Sequence, residues 1–481
     1  MSVQIFVQGK LLGIDEFLSS AVATDSLSFL GRSHWISLVS EVLPRALLAE
    51  LGLSKMLLGA SGGDQFLVVL PAEARQNAVD FLATASAAIE KLTGGTVHLV
   101  QASTENLGDW SDVRKRMNEE MSRRRAAPVS VRGLGVFDPF DAEAAVVDDA
   151  YFAELAAGIR TAQSVGWSPD HPAQVLPGPG KHTWTLDGEL DAVPFIRHEA
   201  LADDGAAATP AQLGERANGR PIWGVLRGDV DSFATRLRKL QTIEEHLQLS
   251  ITYKQFFAGE LKIQCSMPDY FQKTSIIYTG GDDFAVMGAW DALLPLAREV
   301  QRVFQRFAAE NLKDLPGAEG KTITMALALA PEADTPLGSV FEDAGRRLEI
   351  AKNADKDCIY ALGRILEWKQ LADAAELKDE LMRMVVEFGA SPEYVNELCG
   401  IYRETAVVSR KRGRATERPW RFHRRVNRIL PVSRDREFQK ARAAVVTDLA
   451  GKNPAHVKLR PSGRVALEWA RLSIEDQDHQ G

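Results

Sequence analysis

The stretch Tyr278-Thr279-Gly280-Gly281-Asp282-Asp283-Phe284-Ala285-Val286-Met287-Gly288 sets two apolar runs on either side of a glycine-acid turn. Ser275 to Tyr278 and Phe284 to Met287 are β-rich, so the segment predicts strand, tight turn and strand. Glycine at 280 and 281 permits positive φ, which keeps the turn short and lets Asp282 and Asp283 project from a rigid tip.

Upstream, Ile222 to Leu226 is another β-rich run and ends in Gly228-Asp229-Val230-Asp231. If that strand persists, Asp229 and Asp231 share one face, because strand side chains alternate. Asp229, Asp282 and Asp283 together make an oxygen-only pocket. Crowded carboxylates repel one another, and Mg²⁺ or Mn²⁺ offsets that repulsion with oxygen ligation. Two such ions about 4 Å apart lower the pKa of an attacking hydroxyl and stabilise departing pyrophosphate. These are the needs of nucleotidyl transfer. Asp-rich turns also occur as plain hairpin solutions, and it is the strand-borne Asp229 that points to chemistry.

Downstream, a helix over Leu293 to Asn311, a strand over Thr322 to Leu329 and a helix ending at Ile350-Ala351-Lys352 complete an α+β unit with Asp357 to Gly363. The beginning of the chain repeats the pattern. An apolar strand at Val3 to Val7 precedes Met56 to Gly59, the turn Ser61-Gly62-Gly63-Asp64 and Phe66 to Leu70. A helix over Glu73 to Leu92 and a strand over Val97 to Gln101 follow. The chain therefore carries a degenerate internal duplication. Between the copies, Pro169, Pro172, Pro177, Gly178, Pro179 and Gly180 predict a linker with a small insert, and Gly205 to Pro210 a flexible connector. From Ile365 onward helical periodicity dominates. Four segments result: 1–130, 131–218, 219–365 and an all-helical 366–481.

Bulk composition narrows the class. With 481 residues, 45% hydrophobic and 25% charged, this is a multidomain globular chain. No apolar run nears the roughly 20 residues needed to cross a bilayer, and no signal peptide is evident, so a cytoplasmic location without membrane contact is expected. Cys265, Cys358 and Cys399 form no CxxC pair, which leaves metal binding to oxygen. The net charge of −8 argues against coating nucleic acid with the whole surface. Locally, Arg410, Lys411, Arg412, Arg421, Arg424 and Arg425 interleave with Trp420, Phe422 and His423. Such a patch suits an RNA backbone with rings supporting bases, and equally a solvated basic loop followed by an ordinary helix.

Ile222 to Phe233 (IWGVLRGDVDSF) and Tyr278 to Gly288 (YTGGDDFAVMG) resemble the second palm of the large polymerase/cyclase subunit of type III CRISPR effector complexes, of the Csm branch. Leu249-Ser250 before Phe256-Phe257, Ala351-Lys352 with Lys356, and Leu134 to Asp141 (LGVFDPFD) extend the likeness. Leu11 to Ser20 and Gly59 to Pro71 look like the first, non-catalytic palm, so the resemblance covers essentially the whole chain. It implies two ferredoxin-like palm domains facing each other, a linker domain and the helical domain. It also implies two ATP molecules joined into cyclic oligoadenylates when target RNA is recognised in a heteromeric complex with other effector subunits and guide RNA. By position, Asp229, the Val230 carbonyl, Asp282 and Asp283 would hold two Mg²⁺ or Mn²⁺ ions. Asp229, Asp282 and Asp283 would be catalytic. Gly280 and Gly281 would lie at the ATP, Ser250 would touch an adenine, and Lys352 and Lys356 would meet triphosphate.

Three departures qualify the likeness. The chain opens on the first palm and contains no His-Asp dipeptide, so the HD nuclease activity of many relatives is not expected. The linker has no cysteine for the zinc often bound there, so it folds without zinc or is looser. The first turn reads GGDQ, and no acid in Val3 to Gln8 matches Asp229. Gly62 and Gly63 then serve ATP docking by close backbone approach, or simply make a hairpin. The competing reading of the whole is a catalytically reduced structural and RNA-recognition subunit of the same complex.

Overall fold

The computed structural model describes residues 4–20, 25–126, 147–186, 192–315, 317, 319–412, 419–450 and 460–474, the side chains of 126, 404–412 and 419–420 excepted. Leu134 to Asp141 therefore lies outside the described residues. The first unit runs β1 (Gln4–Leu12), α1 (Ile14–Ser19), α2 (Ser26–Glu50), β2 (Leu58–Gly62), β3 (Gln65–Pro71), α3 (Arg75–Leu92), β4 (His98–Glu105) and α4 (Trp110–Ala126). Its antiparallel sheet has the order β2-β3-β1-β4, the strand order of a ferredoxin-like fold. Helix α2 is apolar around nearly its whole circumference and buried accordingly, with Trp35, Leu38, Val42 and Leu47 fully covered. Asp25 starts it by accepting the Ser28 amide at 2.7 Å.

The proline- and glycine-rich stretch is more ordered than its composition suggests. It holds α5 (Asp149–Ile159), then β5 (Ser164–Trp167), β6 (Leu176–Pro177) and β7 (His182–Thr185) in a small sheet, and then α6 (Pro210–Glu215). A Cβ on Gly166 would sit 2.4 Å from the Gly180 nitrogen, so these glycines let two backbones touch. Trp167 is buried and donates to the Pro172 carbonyl at 3.0 Å. The expected connector at Gly205 to Pro210 is a turn closed by a Leu201–Ala207 bridge, and Thr209 caps α6 in a capping box with Gln212.

The second unit comprises β8 (Trp223–Val230), α7 (Phe233–Lys239), α8 (Ile243–Gln255), a π turn, α9 (Leu261–Cys265), β9 (Thr274–Thr279) and β10 (Asp283–Ala289). It continues with α10 (Trp290–Asn311), β11 (Ile323–Leu329), α11 (Leu337–Ala354), β12 (Cys358–Ala361) and β13 (Arg364–Glu367). Within the sheet order β13-β12-β11-β8-β10-β9, the run β11-β8-β10-β9 repeats β4-β1-β3-β2. The duplication extends to detail: a Cβ on Gly9 would meet the Phe66 ring at 2.2 Å, and one on Gly228 the Phe284 ring at 2.3 Å.

Among the described residues five helices follow: α12 (Trp368–Val386), α13 (Glu393–Arg412), α14 (Pro419–Ile429), α15 (Arg436–Ala450) and α16 (Pro461–Ile474). Their apolar faces share one core with the second sheet, joining Trp290 and Phe304 to Leu371, Val445 and Trp469. Among the described residues, no helix is long and apolar enough to cross a membrane.

Candidate active site

Register fixes the acids. Asp283 begins β10 directly opposite Asp229 near the end of β8, and the Val230 amide donates to the Asp282 carbonyl at 2.8 Å. The hairpin tip and the neighbouring strand end are thereby tied together. Neither Gly280 nor Gly281 is among the residues with positive φ, contrary to the expectation for this turn. Glycine at 280 answers a different need: a Cβ there would lie 1.8 Å from Asp283 Oδ1. In the first unit Gly62 (φ 112°) and Gly63 (φ 67°) do adopt the left-handed region.

The two hairpins meet across a cleft of about 1120 Å³, larger than the roughly 300–1,000 Å³ of an ordinary single-ligand site. Lys10, Gly62, Gly63 and Asp64 line one side, and Asp229, Ser250, Gly280, Gly281, Asp282, Asp283 and Lys352 the other. A Cβ on Gly63 would stand 3.5 Å from the Gly281 nitrogen.

Burial shapes the charges. Asp283 is pushed up to about 6, by burial first and by Asp229 second, with Arg227 opposing. Asp282 rises well above the ordinary carboxylate range through burial and the charges of Asp283, Asp229 and Asp64. Burial also raises Asp229, and the Lys352 ammonium, 2.7 Å from its Oδ1, only partly offsets this. This is an acidic cluster short of positive charge.

Tyr278 donates to Asp283 Oδ2 at 2.9 Å, and the Arg227 guanidinium packs over the Phe341 ring, 4.2 Å from its centroid, with Nη2 3.5 Å from the Tyr278 hydroxyl. Tyr278 and Arg227 flank the acidic motif in sequence, but neither is acidic, so nothing local marks them as partners of the acids.

Asp231 does not join the cluster. The strand ends at Val230, and Asp231 is buried, accepting from Thr322 Oγ1 at 2.8 Å, Thr324 Oγ1 at 2.7 Å and the Asp357 amide at 3.0 Å. Its carboxylate fastens the loop that carries Lys356. Lys356 itself, at φ 56°, donates to Ser232 Oγ at 2.9 Å and is not part of the cleft lining. Lys352 and Ser250 do line it.

Glu41 is a further participant with no local sequence signal. Only 2% exposed, it bonds Lys254 of α8, Arg45 at 2.7 Å and Ser61 Oγ at 2.7 Å. Burial pushes its carboxyl up, yet Lys254 and Arg45 outweigh this and hold it below the ordinary value. Lys254 also donates to the Ser61 carbonyl at 2.9 Å, which clamps the first hairpin to the helix bearing Ser250.

An all-oxygen, charge-deficient donor set fits hard divalent cations. Among the described residues, however, no group of three or more His, Cys, Asp or Glu side chains is gathered as a ready metal cage. Asp229, Asp282 and Asp283 form a charged wall rather than a closed one.

The basic patch lies elsewhere. Arg421 and Arg424 are exposed on α14 and Arg425 is half-buried, none of them lining the cleft. Phe422 is buried against Tyr402, so its ring supports the core rather than a base. The side chains of Arg410, Lys411 and Arg412 fall outside the described residues.

Residues 222–360 match the family model described as Cas10/Cmr2, second palm domain. The chain is similar to the CRISPR system single-strand-specific deoxyribonuclease Cas10/Csm1 (subtype III-A) of Enterococcus italicus, 26% identical over 186 residues, which cover 37% of this chain and 23% of that protein. The protein of the same name from Mycobacterium tuberculosis is 23% identical over 498 residues, 85% of this chain and 60% of the relative. The matches span 23% and 60% of these two relatives' own length, less than two thirds in each case. Among solved structures, a Csm1-Csm4 cassette in complex with AMPPNP matches with a TM-score of 0.72 at 16% identity, over 98% of this chain and 70% of that one. Csm1 of T. onnurineus matches at 0.68. Csm1-Csm4 cassettes in complex with one ATP and with cA3 match as well. Residues 222–360 are thus similar to the Cas10/Cmr2 second palm domain, and the chain as a whole shares its fold with solved Csm1 structures.

Proposed function

We propose that this chain is the nucleotide-polymerising subunit of a type III-A effector complex, converting ATP to cyclic oligoadenylates when guide RNA pairs with target RNA. The observation that carries this reading is the Asp229–Asp283 register, which puts half-buried acids on the wall of a cleft shared with the first hairpin. The relatives' names and the nucleotides in the neighbouring structures support it.

Asp229, Asp282, Asp283 and the Val230 carbonyl would hold two Mg²⁺ or Mn²⁺ ions. When bound, such ions activate a 3′-hydroxyl and stabilise departing pyrophosphate. Lys352, released from Asp229 as the cluster is neutralised, turns to the triphosphate. Ser250 on α8 meets an adenine. Gly280 and Gly281 admit the nucleotide close to the backbone, and Gly62 and Gly63 dock the second one. Holding both nucleotides in one cleft makes the attack of hydroxyl on α-phosphorus effectively unimolecular.

The purified complex, given ATP, Mn²⁺ and target RNA, should form oligoadenylates detectable by mass spectrometry. Asp282→Ala/Asp283→Ala should abolish them, and undiminished product in that variant would refute the assignment.

A second reading, a catalytically reduced structural and RNA-recognition subunit, is favoured by the absence of a ready metal cage among the described residues and by the Lys352–Asp229 pair. RNA binding that falls steeply with salt, without nucleotide turnover, would support it.

A further inference from the structure

The internal duplication allows the two hairpins to be compared position by position. In the second unit Asp283 stands opposite Asp229; in the first, Gln65 stands opposite Lys10. The glycine that admits a phenylalanine ring is preserved one residue earlier in each strand, as Gly9 with Phe66 and Gly228 with Phe284. The backbone is thus repeated while the acidity is lost: an ammonium and an amide occupy the places of two carboxylates, and Asp64, in the place of Asp282, is the carboxylate that remains. Gln65 is held in turn by Gln8 Nε2 at 3.2 Å.

Lys10 lines the cleft and pairs with Asp64 at 2.7 Å, the two side chains being 26% and 36% exposed. A pair this solvated is weak and can be exchanged for a stronger anion. Lys254 also lies beside this hairpin, but it is committed to the buried Glu41 and to the Ser61 carbonyl. Of the two ammonium groups at the first hairpin, Lys10 is therefore the one able to change partner. One carboxylate beside an ammonium is too little for a divalent cation, whereas the ammonium can bind a polyphosphate oxygen.

We infer that Lys10 makes the first hairpin a metal-independent polyphosphate site, so that the two nucleotides of the cleft are held by opposite electrostatic means. This rests on the nucleotide reading above. Asp64, whose charge reaches Asp282 across the hairpin contact, competes with the phosphate for Lys10.

The test is equilibrium binding of AMPPNP to the full chain in its complex, in EDTA and in Mn²⁺. Wild type should keep one nucleotide in EDTA and bind a second in Mn²⁺. Lys10→Met should weaken the EDTA-resistant nucleotide by about tenfold or more while leaving the Mn²⁺-dependent one, which doubles as a check on folding. Lys10→Arg should retain it, and Asp64→Asn should tighten it. Unchanged EDTA-resistant binding in Lys10→Met overturns the inference, as does a wild type that binds two nucleotides in Mn²⁺ and none in EDTA. Binding of no nucleotide under either condition removes the nucleotide reading of the cleft, and this inference with it.

Discussion

Tyr278 Oη lies 2.9 Å from Asp283 Oδ2, which makes a phenol the hydrogen-bond donor to one of the cleft's acids. The half-buried tyrosine gives that carboxylate a fixed direction. Tyr278→Phe keeps the ring and removes the donor. A hydrogen bond to a charged group contributes about 1.5–3 kcal/mol, so oligoadenylate synthesis should fall about tenfold or more, with a raised Mn²⁺ requirement. Initial rates across a Mn²⁺ series measure both, and unaltered rates at every concentration would contradict the role.

The acids should also govern stability against pH in metal-free protein. A carboxylate whose folded pKa is raised binds more protons folded than unfolded, so stability is lost as pH rises from its unfolded value near 4. For Asp283 that window closes at about 6. Thermal unfolding in EDTA should therefore show a higher contribution from this cluster at pH 4 to 5 than at pH 7. At pH 7 Asp282→Asn should raise the midpoint, and added Mn²⁺ should shrink the difference between variant and wild type.

The Glu41–Lys254 pair joins α2 to α8 and should matter most when half of it is missing. Glu41→Gln leaves a partly buried ammonium without its counterion, at a cost of about 3 kcal/mol. Glu41→Gln/Lys254→Met should recover the part of that loss due to the stranded ammonium, since the methionine needs no counterion, while Arg45 stays without its partner in both variants. Urea unfolding of the three proteins decides the matter, and equal losses in single and double variants would argue against a coupled pair.

The two glycines of the turn that carries Asp282 and Asp283 should differ in tolerance. Alanine at 280 forces a Cβ to 1.8 Å from Asp283 Oδ1, while alanine at 281 meets nothing within 4 Å. Gly280→Ala should lose activity through displacement of that carboxylate, and Gly281→Ala should unfold at the wild-type midpoint. Circular dichroism with product assays separates the two outcomes.

Much of this was legible in the chain because it depends on short range. Alternating apolar runs around Gly280 to Asp283 and Gly62 to Asp64 announced the two hairpins, and helical spacing announced the final bundle. The departures have physical causes. Proline and glycine between the units suggested a loose linker, yet Gly166 and Gly180 serve close backbone packing in a small sheet. Phe422 sits in a basic run, but its helix turns that ring inward.

Spacing along the chain was enough to name Asp229, Asp282 and Asp283, since strand periodicity and turn chemistry act over a few residues. Folding alone decided their partners. Asp231 is drawn to Thr322 and Thr324, Lys10 takes the position that Asp229 holds in the other unit, and Glu41 finds Lys254 at a separation of 213 residues. Which charges neutralise one another depends on how sheets and helices pack, and no local pattern carries that information.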